Sequence, residues 1–321
     1  MDTKGPFELL PTELIEHIGD ALLNLAVQQR QPGLNEIERA VLQVRTFHTL
    51  ALVNTRLNSI FTPRLYHQII IQSANSRGSF IKNTITNPEL CHLGSILLYS
   101  ERMNGSRFHS IHSKDMELNK VLLSLRNLTV LRIWKVICWK RWVQPSFGDQ
   151  ATDLTSLTHL RTLEILEPQT MRGLCTILST ILPQIERLVV SGIELRPYEN
   201  GSLDIYSSLT ELKQLCVRST RFTFEMWLDG IFALLSTTKL EEIELDSTRP
   251  FTLYSQPYQF VKVGRLDRWR DTLKVFRFRG DPIEEKLRAY LNVALSNCET
   301  VDIKEIPVEP GDGHSINMWM G

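Results

Sequence analysis

Over the last two-thirds of the chain, apolar positions return in one spacing: an apolar residue, two variable residues, a second apolar residue, one variable residue, then a third. The copies are Leu128-Leu131-Ile133, Leu160-Leu163-Ile165, Ile185-Leu188-Val190, Leu212-Leu215-Val217, Leu240-Ile243-Leu245, Leu273-Phe276-Phe278 and Cys298-Val301-Ile303. Successive copies begin 32, 25, 27, 28, 33 and 25 residues apart. The second and third apolar residues of a copy lie two apart, so they share one side of a strand while the residues between them project to the other. One such strand cannot bury its apolar side alone, whereas a column of parallel strands backed by helices can. Candidate helices lie between the copies, in Met171–Ile185, in the stripe from Met226 to Leu235, and in Leu287–Leu295. A weaker copy, Leu93-Ile96-Leu98, precedes the first clear one. The pattern predicts an α/β chain with one parallel sheet, at a period that leaves little room for long crossover helices.

The beginning of the chain has a different periodicity. Residues 7–18 read FELLPTELIEHI, with Thr12 as a natural N-cap after Leu10-Pro11. Leu14, Ile15, Ile18, Leu22 and Leu23 then follow at helical spacing. A second helical segment, Thr46–Phe61, carries Phe47, Leu50, Leu52, Val53, Leu57 and Ile60. Pro63 is expected to stop that helix, and LYHQIII reads as a strand entering the array. Between the two segments, Gln28–Gly33 reads as a loop and Asn35–Val44, with Ile37, Val41, Leu42 and Val44 apolar, as an inserted helix.

The repeated pattern resembles the leucine-rich repeat, although the Asn that the commonest class carries eight positions after the first apolar residue is missing. Val136, Pro168, Ile193, Thr220, Thr248, Asp281 and Ile306 stand there instead. Without that polar ladder the turns must be held another way. The N-terminal pair of segments resembles the F-box, a small helical module that docks a substrate receptor on the Skp adaptor of a cullin ubiquitin ligase. The matching features are Leu10-Pro11-Thr-Glu-Leu14-Ile15-x-x-Ile18, Leu50-Ala-Leu52-Val53-Asn-x-Arg56-Leu57 and Thr62-Pro63-x-Leu65-Tyr66, the last typical of fungal members. The resemblance covers residues 7–67 and departs from the family in its long linker. It implies a box at 1–67, a repeat solenoid at 68–306 and an irregular tail at 307–321. It also implies adaptor docking or box packing by Leu10, Pro11, Leu14, Ile18, Leu50, Val53 and Leu57, which one sequence cannot divide between the two roles. The implied function is substrate recognition in a Skp–cullin–F-box ligase, with the repeats holding an unidentified target protein. The alternative is a repeat scaffold with no ligase, its adaptor docking spoiled by the linker insertion.

Alternation along the strands nominates a target-binding face. With Leu131 and Ile133 inward, Arg132 and Trp134 project outward, as do Glu164, Arg218, Glu244, Asp246, Arg277 and Arg279 from later copies. Charge changes sign along this face, which suits a protein surface better than a uniformly charged polymer, so no nucleic-acid partner is expected. Two other stretches attract attention as binding elements: Trp134–Trp142, rich in Trp and basic residues, and the basic run Lys262–Arg279, whose plainer reading is a solvated helix face.

Composition narrows the classes further. Among 321 residues, Lys plus Arg and Asp plus Glu each number 36, so no net field draws the protein to nucleic acid or anionic lipid. No apolar run is long enough for a membrane span, and the N-terminus lacks the order of a signal peptide. The five scattered cysteines (Cys91, Cys138, Cys175, Cys216 and Cys298) read as free thiols of a reducing compartment, cytoplasm or nucleus. No Gly-rich phosphate loop, Gly-x-Ser-x-Gly or His-Glu-x-x-His is present. His109, His112 and Asp115 are too sparse for a metal site and fall in a polar insertion that reads as a surface loop. The sequence therefore nominates no catalytic residue, metal or cofactor.

Overall fold

A computed structural model describes residues 9–29, 36–71, 79–80, 82–83, 86–100, 121–134, 154–166, 180–191, 207–218, 235–246, 266–280, 282–283 and 285–306. The candidate helices at 171–179 and 226–234, the tryptophans at 139 and 142, the His109–Asp115 group and the tail beyond Ile306 lie outside these residues.

Three helices come first: α1 (Thr12–Gln29), α2 (Glu36–Ala51) and α3 (Thr55–His67). The Pro11 carbonyl already accepts from the Ile15 N–H, so Thr12 is the first helical residue and not the cap. The inserted helix and the first part of the second expected segment prove to be one element, α2, broken from α3 at Leu52-Val53-Asn54. Asn54 makes the break: its backbone is extended, and its side chain accepts from the Leu57 N–H at 2.8 Å, the standard device for starting a helix. Asn58 braces the other end by donating to the Ala51 carbonyl at 3.1 Å. Pro63, expected to end the helix, sits inside α3, which runs on to His67, so the strand starts only at Gln68. A core of Ile15, Phe47, Ala51, Leu57 and Phe61 joins the three helices. Phe47 and Phe61 stack with centroids 5.5 Å apart, and the Arg64 guanidinium lies 5.8 Å from the Phe47 centroid while pairing with Asp20 at 2.9 Å.

The strands are β1 (Gln68–Ile71), β2 (Ile96–Ser100), β3 (Val130–Trp134), β4 (Thr162–Leu166), β5 (Arg187–Ser191), β6 (Gln214–Arg218), β7 (Glu242–Asp246), β8 (Val275–Gly280) and β9 (Thr300–Glu305). They form one nine-stranded sheet in chain order, and every neighbouring pair is parallel. The chain is thus α/β, with a strand order that fits a stack of repeated units. The register aligns Leu131, Leu163, Leu188, Leu215, Ile243, Phe276 and Val301 in one row and Ile133 through Ile303 in the next. Apart from β9 at the end of the stack, these residues are buried in a single continuous core. Helix α4 (Glu285–Ala294) covers the last units with Leu287, Leu291 and Ala294. The other described backing includes tighter pieces, among them single turns at Pro88–Cys91, 121–124, Leu182–Gln184 and Leu266–Trp269.

The weak copy is displaced by one residue. Leu97 and Tyr99 point to the core in register with Leu131 and Ile133, and Leu98 is buried on the opposite face. The first apolar position of that unit is taken by Gly94, where a Cβ would stand 2.5 Å from Ile69 Cδ1. Ile-Leu-Leu-Tyr is apolar on both sides because α2 covers the outer one, and a strand buried on two faces has no alternation to read.

A substitute for the missing Asn ladder is visible between successive units. Thr237 Oγ1 donates to the Leu212 carbonyl at 2.8 Å and Trp269 Nε1 to the Thr237 carbonyl at 2.8 Å. Gln184 Nε2 donates to the Leu157 carbonyl at 2.7 Å, and Thr272 Oγ1 to the Leu240 carbonyl at 2.9 Å. Each bond satisfies a carbonyl one repeat earlier, which buried turns require. Beside them runs a charge ladder at the residue after the first apolar position: Arg161, Glu186, Lys213, Glu241 and Lys274. Glu186 meets Arg161 at 3.3 Å and Lys213 at 2.8 Å, and Glu241 meets Lys274 at 2.6 Å.

Candidate interaction surfaces

Two surfaces come out of this architecture. The first belongs to the helical unit. Ile15 and Gly19 of α1 face the core, while Leu14, Ile18, Leu22 and Leu25 share the adjoining arc and remain open to solvent. Leu14 is 48% exposed, Ile18 38%, and Leu52 and Val53 at the α2–α3 break 71% and 58%. Arg56 reaches back from the first turn of α3 and donates to the Leu10 carbonyl at 2.5 Å, which ties the Leu9-Leu10-Pro11 turn to the start of α3. The seven apolar positions nominated from sequence therefore divide. Leu57 is internal, Leu10 and Leu50 pack partly against the core, and Pro11, Leu14, Ile18 and Val53 form surface.

The second surface is the sheet face away from the main core. One row runs Ile70, Leu98, Arg132, Glu164, Val189, Cys216, Glu244, Arg277 and Asp302. The next runs Trp134, Leu166, Ser191, Arg218, Asp246, Arg279 and Lys304. The eight nominated residues do share this face, but they do not share an environment. Trp134 packs with Ile70 and Leu98 against Ala40 and Val41 of α2, so the helical unit covers that end of the face. Arg132 and Glu164 pair at 2.5 Å, with Glu164 only 7% exposed. Of the nominated residues, those at the β6–β9 end offer their charges to solvent: Arg218, Arg277 and Arg279 are exposed, as is Lys304 beside them, and Glu244 and Asp246 are half-buried.

The basic run Lys262–Arg279 is dispersed in its described part. It is not a helix face, because Leu266–Trp269 is a short turn followed by β8. Arg268 lies over the Trp269 ring at 4.2 Å, Arg270 donates to Ser296 Oγ, and Lys274 joins the charge ladder. Burial pushes the Cys216 thiol up to about 11, so it stays protonated near neutrality and is a poor nucleophile. Cys91, Cys216 and Cys298 are free, and no group of described His, Cys, Asp or Glu residues is arranged to hold a metal ion. No described helix is long and apolar enough to cross a membrane.

Sequence reasoning missed the role of α2, the Arg56 tie and the charge ladder. The ladder had a signal, since the residues after successive first apolar positions alternate in sign from Arg161 to Glu299. No family model matches the chain, and no curated protein matches it.

Proposed function

We propose that this chain is a substrate-recognition subunit of a Skp–cullin–F-box ubiquitin ligase, with an F-box at its N-terminus and a leucine-rich-repeat solenoid behind it. The observation that carries the reading is the division of the motif residues in the helical unit. Leu57 and, in part, Leu10 and Leu50 build its core, while Pro11, Leu14, Ile18 and Val53 leave an apolar surface that no described element covers. Isolated exposed apolar residues need no explanation, but a row along one helix beside a second exposed pair fits a docking face. The adaptor would occupy this face, and the sheet would hold a target protein. On this reading the chain supplies proximity and orientation and no reacting group. A repeat scaffold outside any ligase is the other reading, and adaptor binding separates the two.

The test is co-purification of the full chain with a Skp-family adaptor. The intact protein should retain the adaptor, and Leu14→Asp with Ile18→Asp should lose it while keeping its circular dichroism and melting temperature. Failure of the intact protein to retain adaptor, or full retention by the double variant, overturns the ligase reading.

A further inference from the structure

Ion pairing on the β6–β9 end of the open sheet face follows one rule. Two of its three arginines, Arg218 and Arg277, lean diagonally toward the start of the neighbouring strand and take a glutamate there. Arg218 sits opposite Asp246 in the register yet pairs with Glu244, Nε to Oε1 at 3.1 Å. Arg277 sits opposite Glu244 yet pairs with Glu242, Nη1 to Oε1 at 2.5 Å. By the same lean Arg279 would reach Glu244, which Arg218 already holds. On β9, Lys304 is answered from its own strand by Asp302 at 3.1 Å.

The remainder is one opposite pair of charges on adjacent strands, Asp246 and Arg279. Arg279 is exposed and makes no ion pair with any described residue. Asp246 Oδ1 is out of solvent and accepts no hydrogen bond from any described residue. The carboxylate is half-buried as a whole, so a charged donor can approach it only from its open side, where it would offset the acceptor that the fold leaves unmet.

We propose that Asp246 and Arg279 are the specificity pair of the target-binding face. Together they select a protein segment that carries a basic and an acidic side chain side by side, the base on Asp246 and the acid on Arg279. This deepens the target-binding part of the function proposed above and rests on it. The face as a whole argues for such a partner. From β6 to β9 its cations Arg218, Arg277, Arg279 and Lys304 are balanced by Glu242, Glu244, Asp246 and Asp302, so it offers no sustained field to a polyanion. Asp246 beside Arg279 also works against a lone phosphate or a purely acidic segment, because a like charge next to the fork penalises the wrong ligand. The span between the two side chains suits charges about two apart on a strand or three to four apart on a helix.

The probe is a displayed library of random 12-residue peptides, selected against the full chain. Enriched peptides should carry one Lys or Arg and one Asp or Glu about two to four residues apart. Binding should fall at least about tenfold in Asp246→Ala and in Arg279→Ala, the loss expected for one partner of a charged hydrogen-bonded pair. Charge reversal gives the sharper result: Asp246→Lys should shift enrichment to acidic peptides and Arg279→Glu to basic ones. Enrichment of purely acidic peptides by the parent, enrichment indifferent to both reversals, or none above the starting library overturns the proposal. So does a concentration-dependent dimer in sedimentation that either reversal abolishes, which would make a second copy the occupant. Adaptor retention, measured on the same proteins, separates the two ideas. The reversals should retain adaptor like the parent, and loss of adaptor by the parent itself would count against the ligase reading and leave the peptide result standing.

Discussion

Gly19 is the point where α1 meets α3 most closely, and Gly19→Ala turns that closeness into a number. Alanine in a helix interior ordinarily gains about 0.5–1 kcal/mol over glycine, because it has less backbone freedom to lose. Here the added Cβ would stand 2.6 Å from Phe61 Cε1 and 2.7 Å from Cζ, closer than real methyl contacts come. The ring has little room to yield, since Phe61 is buried and stacked on Phe47. Overpacking of this kind costs about 1–3 kcal/mol. Set against the propensity gain, the net expectation is a loss of about 0.5–2 kcal/mol. Hydrogen exchange of the α1 amides reads the stability of this unit directly, without interference from the sheet. Phe61→Leu supplies the control, because it removes the ring atoms that the methyl strikes. The double variant should cost about 1 kcal/mol less than the sum of the single changes, as contacting residues do. Slower α1 exchange in Gly19→Ala, or strict additivity with Phe61→Leu, would refute the packing argument.

Three other expectations concern the array and its junction. Lys274 holds the Glu241 carboxyl below its ordinary range and Lys239 does the same for Glu211; both carboxyls are therefore stabilising above an unfolded value near 4.5, and that contribution fades as pH falls below it. Melting temperature followed from pH 6 to 3 should drop more for the parent than for Glu241→Gln, and equal slopes would remove the ladder from the account. Thr237→Val deletes the hydroxyl that donates to the Leu212 carbonyl and leaves a buried acceptor, at a cost of about 1–3 kcal/mol in urea unfolding. No change in the midpoint would show that the inter-repeat bonds are not what holds the turns. Trp134→Ala should speed amide exchange in α2, because the ring packs against Ala40 and Val41, and it should leave peptide selection at Asp246 and Arg279 untouched; the reverse outcome would return Trp134 to the binding face.

How much could be read in advance depended on whether one side of an element stayed polar. The strands from β3 on have an apolar inner side and a mainly polar outer side, so their alternation gave the register residue by residue, including which eight side chains share the open face. At β2 the alternation disappears because α2 covers the second side, and the spacing Leu93, Ile96 and Leu98 lies one residue off the true register. Pro63 misled for a different reason: a proline disfavours a helix locally, yet packing of Phe61 and Arg64 against α1 and α2 holds the turn around it. The candidate surfaces were legible as faces but not as environments. Nothing in the sequence says that Trp134 is covered by a helix from nearly a hundred residues earlier, or that pairing of Arg218 and Arg277 leaves Asp246 and Arg279 over.

On the function proposed above, the exposed row on α1, with Leu52 and Val53, would be the face that docks on the adaptor. Hydrogen–deuterium exchange of the full chain, with and without a purified Skp-family adaptor, tests it most directly. A one-to-one complex is expected, in which protection rises at residues 9–25 and 50–56 and stays unchanged from β4 to β9. No complex at micromolar adaptor, or protection that falls on the sheet in place of α1, would contradict it.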